Sequence, residues 1–210
     1  MNINEPMTML TDYIIAIESF IFALSLFWIS SLKKQTSIRF WSIAFSTIGI
    51  AAILGGTYHG FFFYLDKYNR FILWKATDYL VSSASSIMLL ATVLSSTYKK
   101  NHKSLFIAIG LKFIFYINLS FKTDDTRYFI ASYLLDMLIV LGIQLRIIHL
   151  FRSRSALWII SGILVSLVAA GIQQSGFKLN INFNHNDLYH LVKMVAFYMF
   201  YQGAKLLKDW

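Results

Sequence analysis

No cysteine occurs in this chain, and its single proline is Pro6. The first absence excludes disulfides and thiolate metal sites. The second leaves every segment beyond residue 6 free of proline kinks. Charge is sparse as well. Only 14% of residues are Asp, Glu, Lys or Arg, where a soluble domain usually carries about a quarter. Acids are the scarcest, 10 against 19 Lys and Arg. In a soluble chain that excess would point to nucleic acid. Here the basic residues sit in short loops between apolar blocks, and retention of those loops at a membrane surface explains them better. Nucleic acid is not an expected partner. The opening MNINEPMTMLTDY has no basic residue, and a secretory signal needs a positive start and a small-residue cleavage site. The first apolar block is therefore expected to be retained.

What the chain has in abundance is apolar sequence: 57% of its 210 residues, gathered in blocks rather than stripes. A membrane-crossing helix needs roughly 20 mostly apolar residues. Seven blocks approach or meet that length, at about 12–32, 38–63, 71–96, 104–121, 127–150, 156–175 and 187–207. The fourth is short and carries Lys112 in its middle. No internal repeat or long linker divides the chain. The expected fold is all-α, a polytopic membrane protein in which residues 1–210 form one domain of seven transmembrane helices.

Loop charge sets the orientation. Lys33, Lys34, Arg39, Lys99, Lys100, Lys103, Arg146, Arg152, Arg154, Lys205 and Lys208 fall on one side, against Lys67, Arg70, Lys75, Lys122, Arg127 and Lys178 on the other. The positive-inside rule then places the N-terminus outside and the C-terminus in the cytoplasm. An odd number of spans requires that the two ends differ, as they do.

Ionisable residues inside spans are costly and usually face the bundle interior. With this topology Glu18, His59, Asp78, Asp136 and His190 all lie in the outer half of the bundle. Lys112 and Asp136 share a depth on neighbouring helices and are expected to form a buried ion pair. Glu18 and Lys193 share a depth on the first and last helices, which adjoin in a closed ring, and can pair likewise. Asp78, His59 and His190 are left without an evident basic partner. Two neutral imidazoles and a carboxylate from three helices are what a zinc site needs. The plain alternative is hydrogen-bonded residues near a membrane interface.

The heptad NHNDLYH, residues 184–190, bears on both readings. Asn186 or Asp187 is a good N-cap. Asp187 and Asn186, three and four residues before His190, share its helical face. His185, five residues before it, points elsewhere unless the helix starts after it.

These residues resemble a family. An N-out seven-helix chain with Gly55-Gly56-Thr57-Tyr58-His59 on helix 2, Asp78 on helix 3 and Asn186-Asp187-Leu188-Tyr189-His190 opening helix 7 resembles the alkaline ceramidases. It is similar also to the wider superfamily of seven-helix membrane metal hydrolases that includes the adiponectin-type receptors. The resemblance covers the chain in the order and spacing of its helices, through short motifs. It implies a zinc-dependent lipid amide hydrolase acting on a bilayer substrate. His59 and His190 would ligate zinc, with His185, Asp187 or Asn186 as the third ligand. Asp78 would act as general base or orient the water. Glu18 resembles an acid of a calcium site in the ceramidases. The chain departs from the pattern at three places. Gly55 stands where the family has a serine that assists catalysis, with Thr57 the nearest hydroxyl. Asn186 stands where the first histidine of the helix 7 pair is expected. Of the calcium-site acids ahead of helix 1, Glu5 and Asp12 are the candidates.

Other classes remain in view. One is a non-enzymatic seven-helix membrane protein with a transport, receptor or assembly role, which keeps the fold without the chemistry. Haem held by His59 and His190 is another. A retinal Schiff base on Lys193 fits poorly, because no aspartate stands one turn before it.

Overall fold

Helix is the only regular structure that 20-residue apolar runs without proline can form when their backbone polar groups must be satisfied internally. A computed structural model of the chain describes residues 3–122, 127–177, 180 and 183–209. Lys178, which entered the orientation argument, lies outside them. Seven α-helices run in order: α1 (Pro6–Lys33), α2 (Thr36–Phe61), α3 (Lys67–Ser96), α4 (His102–Lys122), α5 (Arg127–Phe151), α6 (Arg154–Ser175) and α7 (His185–Ala204). Among the described residues the only β pairing is an isolated bridge between Asn180 and Phe183. Six of the seven, α1 to α6, are long and apolar enough to cross a membrane.

Local chemistry sets the helix ends. Pro6 opens α1, where its missing N–H costs nothing. Lys34 turns left-handed at φ 52° and returns its N–H to Ser30 O, so that α2 can begin two residues later. Asp66 caps α3 by accepting from Asn69 N. Ser153 caps α6, and Gly176 at φ 65° ends it. Helices overrun the apolar blocks by a few residues at several ends, since caps and first turns are polar and hydropathy does not register them.

The helices α1, α2 and α3 pack in sequence, α6 packs on α7, and α7 closes against α1. α4 touches only α3 and α5 extensively and sits at the edge. The core between α1, α2 and α7 is aromatic: Trp41, Phe45 and Phe200 are almost fully buried. Phe22 stacks on Tyr201 with centroids 4.5 Å apart. Helices approach closely where side chains vanish. A Cβ on Gly56 would come within 2.9 Å of the Tyr13 ring, and one on Gly203 within 3.0 Å of Ser155 O.

The distribution of polarity is inverted relative to a water-soluble bundle. Ser19, Ser42, Ser82, Ser85, Thr92 and Gln144 are buried, whereas Trp28, Leu32, Phe115, Phe121 and Val168 are at least 60% exposed. Small hydroxyl residues inside and large apolar ones outside suit a hydrocarbon solvent.

Candidate functional site

The first two turns of α1, the end of α2 and the start of α7 meet at one end of the bundle. Residues 4 and 5 strap this end: Asn4 N bonds Gly60 O and Glu5 N bonds His59 O, closing carbonyls that α2 leaves open. The strap brings Glu5 Oε2 to 3.0 Å from His59 Nδ1. Hydrogen bonding to the His59 imidazole holds the Glu5 carboxyl below its ordinary range, against the opposing pull of partial burial.

On the facing helix Asn184 caps α7. Its Oδ1 accepts from Asn186 N and Asp187 N, and Asp187 Oδ2 accepts from Asn184 N in return, a complete capping box. Asp187 Oδ1 accepts from Thr8 Oγ1 at 2.7 Å, which ties α7 to α1. The helix therefore starts at His185, earlier than a cap at Asn186 or Asp187 would allow. His185 occupies the first turn with a buried Nδ1 that finds no hydrogen-bond partner.

One turn further, His190 meets Thr11 Oγ1 through Nδ1 at 2.8 Å and Asp12 Oδ1 through Nε2 at 3.4 Å. Thr11 Oγ1 also donates to Thr8 O. With that hydroxyl proton committed, Thr11 Oγ1 is left to accept from His190 Nδ1. Thr8, Thr11, Asp12 and His190 thus form one buried polar cluster.

A cavity of about 150 Å³ adjoins it, with Asp12, His59, Gln173, His190 and Lys193 among its polar lining residues. Ile15, Ile48, Ala51, Ala52 and Phe197 make its apolar wall, and Trp74, Thr77 and Val81 enter from α3. Gly55 lines it too, and Asp12 Oδ2 lies 3.5 Å from where its Cβ would be.

The two histidines singled out from sequence thus share a cavity. Asp78 does not line it. It is buried on the neighbouring face of α3, where Lys75 is the charge acting on it and Tyr116 of α4 is close. Thr57 does not line it either: its hydroxyl donates to Ile53 O and meets Tyr13 OH at 3.2 Å. Glu18 stands apart, with Oε2 buried and unpartnered. Lys193 donates to Tyr133 OH at 2.7 Å rather than pairing with Glu18. The Lys112–Asp136 pair forms at 2.7 Å, with Ser85 and Ser86 also donating to Asp136.

Two of the expected zinc ligands, Asp187 and His190, are engaged with other groups of the protein. Both oxygens of Asp187 are engaged in the cap and with Thr8. Both nitrogens of His190 face Thr11 and Asp12. Among the described residues no three His, Asp or Glu side chains are grouped to hold a metal ion. The residues that sequence reasoning undervalued are Thr8, Thr11, Asp12 and Gln173. Thr8 and Asp12, four apart, share a face of α1, with Glu5 at its N-cap, and that polar run leading into the first apolar block was the available signal.

A family profile matches residues 7–209, almost the whole chain. The chain belongs to DUF6962, a family of unknown function. No curated protein and no solved structure matches it. Nothing in these comparisons links a DUF6962 chain to the ceramidases or adiponectin-type receptors.

Proposed function

We propose that this chain is an integral membrane protein of seven spans that binds an amphiphile from the bilayer. The observation that carries the reading is the cavity itself. Asp12, His59, Gln173, His190 and Lys193 supply its polar groups, and Ile15, Ile48, Ala51, Ala52 and Phe197 its apolar lining. Binding pockets for small ligands typically combine a few converging polar groups with an apolar lining. The polar groups suit a head group carrying both donors and acceptors, since imidazole, carboxylate, amide and ammonium are all present. A volume of about 150 Å³ holds a head group and the first carbons, the rest of the chain lying in lipid.

Burial supports α7 as the seventh span. α7 is not one of the six helices apolar enough to cross a membrane by composition, but Asp187, His190 and Lys193 are all turned inward, while Leu191, Val195 and Tyr198 are exposed. Its low hydropathy reflects polar residues facing the bundle, and its lipid face is as apolar as its neighbours'. The orientation is N-terminus outside, which puts the cavity beneath the extracytoplasmic surface.

Lipid amide hydrolysis of the ceramidase type is the second reading. It is favoured by His59, His190 and Asp12 opening on one cavity. It would require a rearranged donor set, so no catalytic step is assigned.

One purification separates the two. Protein extracted in a mild detergent should release a bound amphiphile by native mass spectrometry, and His190→Ala with Asp12→Asn should abolish it. About one zinc per chain, lost in His59→Ala and His190→Ala together, would instead establish the metal enzyme. A preparation with neither lipid nor metal would remove both.

A further inference from the structure

The end of the bundle opposite His59 holds a second cavity that the first does not explain. It measures about 420 Å³ and lies between the ends of α3 and α5, the start of α6 and the segment after α7. Ser95, Ser96, Gln144, Ser153, Ser155 and Lys208 supply its polar groups, and Ile147, Phe151, Leu206 and Leu207 its apolar ones. Among the described residues no carboxylate lines it. At this end the Asp209 carboxylate is turned to the start of α2, accepting from Thr36 N and Ser37 N.

Gln144 is the diagnostic residue. It is 1% exposed, lines the cavity, and its Nε2 has no hydrogen-bond partner. Leaving such a donor unsatisfied costs about 1–3 kcal/mol, and native structures rarely do so without a reason. The N-terminus of α6 adjoins the cavity, with Ser153 and Ser155 in its wall. The N–H groups of Arg154 and Ser155, in the first turn of α6, have no carbonyl one turn back within the helix. That terminus carries the positive end of the helix dipole. Lys208 adds a full charge. Arg146 lines a smaller adjoining cavity that shares Ser96, Ile147 and Phe151.

We propose that this cavity binds a phosphate-bearing group, held by Gln144 Nε2, the first turn of α6 and Lys208. A buried donor, a helix N-terminus and a lysine, with no acid among the described lining residues, form an acceptor-seeking environment. At about 420 Å³ the space is far larger than a single water needs. The phosphate can come from a lipid head group, with Phe151, Leu206 and Leu207 meeting its glycerol and first carbons, or from a soluble phosphate.

The test uses the full chain in a phosphate-free maltoside detergent and reads the thermal unfolding midpoint. Inorganic phosphate is titrated against chloride at equal ionic strength. In parallel, micelles doped with phosphatidic acid are compared with micelles doped with diacylglycerol, which lacks the phosphate. Stabilisation by inorganic phosphate identifies a soluble ligand, and stabilisation only by phosphatidic acid identifies the head group. In either case Gln144→Leu and Lys208→Ala should each weaken the response about tenfold. Gln144→Leu should leave the unliganded midpoint unchanged or raised, since it removes a buried unpaired donor. Lys208→Ala, at an exposed position after α7, keeps the test open should Gln144→Leu fold poorly. No response to either probe, or variants that respond as the parent does, overturns the site.

Discussion

Asp136 is fully buried and holds Lys112 through both carboxylate oxygens, with Ser85 and Ser86 filling its remaining capacity. Truncating one partner leaves an uncompensated buried charge, which typically costs about 3–5 kcal/mol, whereas replacing both by apolar residues is often near neutral. Lys112→Ala should therefore lower unfolding free energy in detergent by about that amount. Lys112→Met combined with Asp136→Leu should recover most of the loss, and equal destabilisation by single and double variants would exclude the pair's role. Glu5 supplies a pH-dependent contact. Its carboxyl sits below its ordinary value of 4.5, chiefly through hydrogen bonding to His59. A depressed carboxyl stabilises the fold fully above that ordinary value, and the contribution fades as pH falls below it. The stability gap between parent and Glu5→Gln should accordingly be constant near neutrality and close on acidification below about 4.5. A gap that persists there would assign the effect to something other than the Glu5 charge. Depth along a helix is readable from sequence, and it was enough for Lys112 and Asp136. It was not enough for Glu18 and Lys193, because which way each faces depends on the rotation of α1 and α7 in the bundle.

At the scale of an element, α7 joins structure to site. Its capping box at Asn184 and Asp187 also reaches α1 through Thr8, so the group that starts the helix also aims His190. Asn184→Ala should cost about 1 kcal/mol by loss of the cap. Asn184→Ser should retain most of it, and circular dichroism with unfolding in detergent would show both. Should alanine prove as stable as serine, the cap is dispensable and the α1–α7 contact alone holds the helix end. The apolar blocks located all seven helices because block length and the absence of proline leave no alternative. Their ends were displaced wherever a polar cap extended the helix beyond the hydropathy signal, most consequentially at His185. That shift moved His185 into the first turn and committed Asp187 to the cap.

For the whole molecule, outward Leu, Phe and Trp and inward Ser and Thr describe a bundle adapted to lipid. The absence of cysteine makes its orientation directly measurable, since any introduced thiol is the only one. Asn69→Cys, at the exposed start of α3, should react with an impermeant maleimide in intact cells. Lys100→Cys, exposed before α4, should react only after permeabilisation. The reverse pattern would invert the topology and move the His59 cavity to the cytoplasmic side.

Taken by itself, the sequence determined the helical class, the number of long elements and the ranks of polar residues at each depth. These depend on length, composition and period, which are local properties. Tertiary structure alone decided the partners. It drew His59 to Glu5 and His190 to Thr11 and Asp12, turned Asp78 out of their cavity, and set Gln144 in the wall of the opposite one. The reason is rotational. A helix can turn about its axis without changing any local pattern, and only packing against its neighbours selects the angle.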